Sequence, residues 1–231
     1  MLRLPQKRVE DIPMEVSIIP IFPIPCVAFP GELLSFHIFE ERYLKMLAEC
    51  LAAEESGGKA RFGITNASSE RSYVVGCSVL VEQITKTYHD NKIDILTTGE
   101  QRYHTIEITQ RQPFPMAKVS FFDDVDVTPP SFELKRNAIS LHQELTEVAH
   151  GKAQEIIIPP GRMTSFVLAH SAGLDLEQRQ SLLEMTNESA RLEFLVEYYQ
   201  RVVPLLRQQQ EVKNRISLNG HLRAPKAKEN F

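Results

Sequence analysis

The sequence predicts an α+β chain, β-rich in its first half and helical in its second, and three observations carry that expectation. Up to Phe122 the apolar residues come in short runs that are β-branched or alternate with period 2, the spacing of half-buried strands. From Leu134 the spacing changes: Leu134, Ala138, Leu141, Leu145 and Val148 follow i, i+4, i+7, i+11, i+14, one face of an amphipathic helix. Between the two regimes stand Asp123-Asp124-Val125-Asp126 and Pro129-Pro130, an acidic run and a double proline that read as a boundary. The expected parts are an N-terminal segment 1–15, a β-rich region 16–126, a helical region 131–212 and a basic, flexible tail 213–231.

Val16 to Phe22 is an apolar run interrupted by Pro20, which suits an edge strand or extended segment better than a central strand. One helix interrupts the strands. Leu44, Leu47 and Leu51 recur at helical spacing, and Glu40-Glu41 place negative charge at its positive end. Gly57-Gly58 ends it. Arg61 to Thr65, Val74 to Ile84, Lys92 to Thr98, Arg102 to Thr109 and Ala117 to Phe122 are further strands, with a hairpin turn at His89-Asp90-Asn91. In the fourth of these, Tyr103, Thr105, Glu107 and Thr109 alternate with His104, Ile106 and Ile108. After the boundary, Gly151 stops the first helix and a second runs from about Met163 to Ser171. Asp175 with Gln178 forms a capping box for a third, and Asn187 caps a fourth, in which Leu192, Leu195, Val196 and Tyr199 share a face. Pro204 kinks that last helix or begins another.

Charge and composition narrow the function classes. A net charge of −4 argues against a protein built to grip phosphate backbones. Basic residues do gather at the end, as Lys213, Arg215, Arg223, Lys226 and Lys228 against Glu229, which reads as a solvated tail. Cys26, Cys50 and Cys77, odd in number and without C-x-x-C spacing, fit small buried thiols in a reducing compartment. The apolar run Ile18 to Pro30 is too short and too rich in proline to span a bilayer, and no signal-peptide core precedes it, so the expectation is a soluble cytoplasmic protein with no membrane contact.

Catalytic motifs are missing from the 231 residues. No glycine stands in a G-x-x-x-x-G-K-[ST] loop, and Gly58-Lys59 has Ala53 where the first glycine belongs. There is no G-x-S-x-G elbow, no H-E-x-x-H pair and no G-x-G-x-x-G after a strand. The seven histidines are scattered, with no two at i, i+3 or i+4. The acidic run 123–126 lacks the glycine and distant carboxylate of a calcium loop and reads as linker. No catalytic residue, metal ligand or cofactor is therefore expected.

What stands out is Ile18 to Phe39, dense in proline, aromatic and aliphatic residues. Proline fixes φ and removes a donor, so the segment reads as a stiff, irregular ribbon with unpaired carbonyls. Pro30-Gly31 suits positions i+1 and i+2 of a tight turn. Phe22, Phe29, Phe36 and Phe39 suit a core, and some of them equally suit a groove that accepts extended chains; Phe29 and Phe36 are the candidate partner contacts.

The same residues carry a resemblance. Pro20, Phe22 and Pro23, then Phe29-Pro30-Gly31, then His37-Ile38-Phe39-Glu40-Glu41-Arg42-Tyr43 are similar to the opening signature of the Lon protease N-terminal domain family. Phe62-Gly63-Ile64 resembles its next strand, Gly76-Cys77 stands where it has Gly-Thr, and Gly99-Glu100-Gln101-Arg102-Tyr103 resembles its G-x-x-R-F element. The resemblance covers about Ile18 to Tyr199. It implies a PUA-like pseudo-barrel followed by a C-terminal helical bundle, with His37, Glu40 and Arg42 fixing the strand-to-helix junction. It also implies a part in recognising substrates, without the ATPase and Ser-Lys peptidase, since the chain ends about where the ATPase would begin. The expected function is a non-catalytic module for unfolded or extended polypeptide, or for a protein partner. Two alternatives stand beside it: an RNA-binding module using Lys86, Lys92, Arg102, Arg111 and Lys118, which the acidic balance disfavours, and a small-ligand site in a crevice between barrel and bundle.

Overall fold

A computed structural model describes residues 16–68, 71–72, 74–110, 113–153 and 155–221. The segment 1–15, Arg111, and Arg223, Lys226, Lys228 and Glu229 of the basic tail lie outside the described residues. The elements run β1 (Val16–Ile24), β2 (Leu33–Ile38), α1 (Glu41–Glu55), β3 (Arg61–Ser68), β4 (Arg71–Ser72), β5 (Val75–Thr87), β6 (Ile93–Gln110), β7 (Met116–Phe122), α2 (Phe132–His150), α3 (Thr164–His170), α4 (Leu176–Glu184) and α5 (Glu188–His221). They form two compact units: one of Met1–Val127 with Gly173–Thr186, the other of Thr128–Ala172 with Asn187–Phe231.

In the first unit the strands form one seven-stranded sheet whose pairings close on themselves. The order β1-β7-β6-β5-β3 returns to β1 because β1 also pairs with β3. The strand read as an edge therefore shuts the ring. Its residues Val16 to Pro20 run antiparallel to β7, and Ile21 to Ile24 run parallel to β3. Pro20 falls at the changeover, where a missing N–H costs the ladder least. The interior is lined by Ile19, Ile21, Tyr103, Ala117, Val119 and Phe121.

Three expectations change here. The ribbon Ile18 to Phe39 is not irregular throughout, because it holds most of β1 and all of β2, which pairs with Ile93 to Thr98 of β6. The strands expected at 92–98 and 102–109 are one strand, β6, that runs through Gly99. That glycine is present for close approach. A Cβ there would collide with the Phe29 carbonyl oxygen. In the far half of β6 the expected alternation fails, as Ile106 and Ile108 are exposed along with their neighbours. The hairpin at 89–91 is present: Asn91 has φ 64°, and Tyr88 N–H donates to the Lys92 carbonyl at 2.9 Å. So is the turn at Pro30-Gly31, where Gly31 has φ 82° and Glu32 N–H donates to the Phe29 carbonyl at 3.1 Å.

α1 buries Tyr43, Met46, Leu47 and Cys50, a stripe one position off the Leu44–Leu51 spacing. The Glu40 backbone carbonyl opens it, accepting from the N–H groups of Tyr43 and Leu44, while its side chain makes no cap. α4 closes the first unit from the far end of the chain, so the helical region expected as one block at 131–212 is divided. Its Asp175–Gln178 capping box is formed in both directions.

The second unit holds α2, α3 and α5. Ser131 and Gly151 cap the two ends of α2, and Asn187 Oδ1 accepts from Ala190 N–H at the start of α5. α5 continues through Pro204 instead of restarting. Arg191 is wholly buried among Glu188, Ser165 and the Phe166 ring, so its charge is both paired and hydrogen-bonded.

Candidate functional site

The motif residues of the first unit divide by direction. The inward group builds the fold. Phe29 is 0% exposed, with the Arg179 guanidinium 4.3 Å above its ring, and so it cannot meet a partner as expected. Arg179 donates to both Glu32 oxygens and to the Val27 carbonyl, while Glu32 accepts from Phe29 N–H, which fastens the Phe29–Glu32 turn to α4. Tyr103 sends its hydroxyl across the interior to Thr65 at 2.7 Å, over Gly63 and Gly76, where any Cβ would overlap it. Burial pushes the Tyr103 phenol well up, so it stays protonated. Pro20, Pro23, Ile38, Tyr43 and Phe62 likewise serve strands or core, and Phe22 meets Phe36, Tyr43 and Phe62 edge-to-face. Phe36, the other expected partner contact, is half-buried in that cluster.

Arg102 is also inward. It pairs with Asp124 at 2.6 Å and donates to the carbonyls of Leu183 and Met185, the C-terminal end of α4. Both side chains are nearly wholly buried. Asp124 is thus a fixed structural charge within a segment read as solvated linker, and Arg102 is removed from any nucleic-acid face. Lys92 pairs with Asp90, Lys86 sits over the Tyr88 ring, and Lys118 lies beside Ile18 and Glu107 in register.

The outward group is different. Leu33 and His37 point away from the core along β2, and Phe39, 60% exposed, follows them. His37 stacks on Phe39 at 6.0 Å and meets Tyr88 edge-to-face at 5.4 Å. His37 Nδ1 lies 2.6 Å from Asp94, whose other oxygen accepts from the Tyr88 hydroxyl at 2.8 Å. The bonds from His37 and Tyr88 hold the Asp94 carboxyl below its usual value, so it is ionised beside the exposed aromatic surface. Arg42 and Glu40 pair with each other on the adjoining surface at 2.7 Å. The folded chain gains little from an exposed Phe39, whereas an aromatic plate beside ordered polar groups suits recognition.

Two buried thiols and one buried histidine are shifted away from reactivity. Burial pushes Cys50 up to about 12 and Cys77 higher, the opposite of an activated thiolate. In the second unit His142 Nε2 lies 3.1 Å from Ser171 Oγ, a serine–histidine pair that sequence spacing did not single out. Burial drives His142 down to about 4, too weak for a general base near neutrality, and its other nitrogen meets Tyr199 instead of a carboxylate. Among the described residues no group of three or more His, Cys, Asp or Glu is placed to hold a metal, and no helix is long and apolar enough to cross a membrane.

Comparison with known proteins agrees with this architecture. The chain is 24% identical over 221 residues to the Lon protease of Dictyoglomus thermophilum, covering 90% of this chain and 27% of that protein. It is 22% identical over 218 residues to the Lon protease of Escherichia coli strain K12, with coverage of 88% and 27%. The chain thus spans about a quarter of the length of the Lon proteases it matches. Its fold is similar to a Lon N-terminal domain protein from Xanthomonas campestris (TM-score 0.61, 22% identity, 78% of this chain and 98% of that one). It is also similar to the N-terminal domain of a Mycobacterium avium complex Lon protease (TM-score 0.57, 18% identity, 80% and 98%). The family model described as the ATP-dependent protease La (LON) substrate-binding domain matches residues 18–201, and the chain belongs to that family.

Proposed function

We propose that this chain is a non-catalytic recognition module that binds extended or unfolded polypeptide through the face formed by Leu33, His37, Phe39 and Tyr88. The observation that carries the reading is the exposed Phe39 plate beside the ordered His37–Asp94–Tyr88 cluster. The open course of β2 supports it: among the described residues β2 has one ladder partner, β6, so its other edge offers backbone groups that no strand uses. An extended peptide can add to such an edge and seat alternate side chains against the aromatic surface. Family membership supports substrate recognition, and the closed strand ring with the α2–α3–α5 unit supports the reading as a PUA-like pseudo-barrel and a helical bundle.

Fluorescence anisotropy with a labelled, permanently unfolded casein fragment tests this. Phe39→Ala removes a largely exposed ring that stacks on His37 at the surface, so the fold should persist while affinity drops by about tenfold. Wild-type protein that binds no unfolded chain, or a variant that binds it as well as wild type, would refute the proposal. Retention of RNA at low salt, lost on reversing Lys86 and Lys118, would favour the RNA-binding reading instead.

A further inference from the structure

A concave site lies in the first unit, lined by none of the Phe39-face residues. It is an open cleft of about 620 Å³ between the start of β1, the C-terminal half of α1 and the middle of β6. That volume falls within the range of small-ligand pockets. One wall is apolar, with Ile18, Pro20 and Met116 facing Ala53 of α1, and Ile18 is 60% exposed. The other wall is charged. Lys59 Nζ and Arg61 Nη2 converge on Glu100 Oε1 at 2.7 and 2.6 Å, and Ser78 Oγ donates to the other oxygen at 3.1 Å. Two cations therefore share one carboxylate. Arg61 is fixed further by lying 5.0 Å over the Phe121 ring, so the pair is preorganised. Burial alone would raise the Glu100 carboxyl, but the bonds from Arg61 and Lys59 outweigh it and hold Glu100 ionised. Lys59 is more than half exposed, leaving ammonium donors turned to the opening. Glu49 also lines the cleft on its α1 side.

We propose that this cleft binds an apolar group carrying a single carboxylate, with the aliphatic part on Ile18, Pro20 and Met116 and the carboxylate bridging Lys59 and Arg61. The exposed isoleucine supplies the hydrophobic driving force, and the shared pair supplies a charge-assisted contact with little reorganisation. The same chemistry comes from the C-terminus of a polypeptide or from a free short-chain acid.

The test is titration of the isotopically labelled full chain, followed by NMR, with acetyl-Ala-Leu-Leu as the free acid, the same peptide as its C-terminal amide, and hexanoate. The free acid should shift the amide signals of Ile18, Lys59 and Arg61 and bind about tenfold tighter than the amide. Lys59→Gln, at an exposed position, should abolish that preference without altering amide binding, and Ile18→Asn should weaken acid and amide alike. Hexanoate acting as the peptide acid does identifies a free carboxylate as sufficient, whereas the peptide acid acting alone identifies a chain terminus. Equal affinity for acid and amide, shifts confined to other surfaces, or no shifts at millimolar ligand would overturn the proposal. Because Phe39→Ala leaves this cleft intact, failure here is distinguishable from failure of the Phe39 face.

Discussion

Lowering the pH should loosen the second unit through one residue, His142. Its imidazole lies in α2, 2% exposed, with Nδ1 at 2.9 Å from the Tyr199 hydroxyl and Nε2 at 3.1 Å from the Ser171 hydroxyl. Both hydroxyls can accept, so geometry does not forbid a protonated ring. Burial does, and it lowers the folded pKa from the ordinary 6.5 to about 4. In the unfolded chain His142 takes its proton near 6.5. Between pH 6.5 and 4 the unfolded state therefore binds more protons, and stability falls as the pH falls. The contribution is fully present above 6.5 and levels off below 4. At 1.36 kcal/mol per unit, the full effect is about 3 kcal/mol, of which about 2 kcal/mol is lost by pH 5. Carboxylates titrate nearby, so the measurement is a difference: hydrogen-exchange opening free energies of α2 and α5 amides in wild type and His142→Gln, from pH 8 to 4.5. The two profiles should diverge by about 2 kcal/mol at pH 5, wild type being the more pH-sensitive. Parallel profiles would refute the assignment of the buried neutral imidazole.

Two substitutions probe the inward motif residues. Arg102→Met removes the buried cation paired with Asp124 and a donor to two carbonyls at the end of α4, so urea denaturation should show a loss of about 3–5 kcal/mol. Asp124→Leu added to it should recover part of that loss, since the buried carboxylate is gone as well. Gly99→Ala drives a methyl group into the Phe29 carbonyl, a backbone atom that cannot swing aside, and should cost about 3 kcal/mol in the same assay.

Local signals were readable in the sequence wherever local physics decides. Asp175–Gln178 and Gly151 fixed helix ends, His89-Asp90-Asn91 a hairpin, and Pro30-Gly31 a turn with positive φ. The misreadings fall where distant residues decide. Gly99 resembles a strand break because its reason, the Phe29 backbone, lies 70 positions upstream. The acidic run resembles linker because Arg102 neutralises Asp124 across 22 positions. α4 resembles one more member of the helical half because its anchor, Arg179 on Glu32, spans 147 positions. β2 escaped notice because it is short and follows a proline-rich run, although Leu34, Phe36 and Ile38 alternate with Ser35 and His37 and only the outward Leu33 departs from the pattern. The Phe39 face was half visible: the aromatic density was plain, but only burial separates Phe29, a core residue, from Phe39, a surface one.

That separation decides what the motif can say about function. Phe29, Gly99, Arg102 and Tyr103 are each explained by a buried contact and Gly31 by its positive φ in the turn, so their presence in a sequence reports the strand ring and its closure by α4. Any activity carried on this fold would need them equally. Phe39 and His37 have no comparable folding reason. An exposed phenylalanine gains little from burial, and the His37–Asp94 pair lies on the surface, where solvent screens it. Substitutions in the two groups should therefore separate cleanly. Inward changes lower stability and, in whatever fraction stays folded, leave affinity intact. Outward changes lower affinity and leave the unfolding midpoint in place. A recognition surface elsewhere on the chain would break that pattern, with Phe39→Ala silent in both measurements.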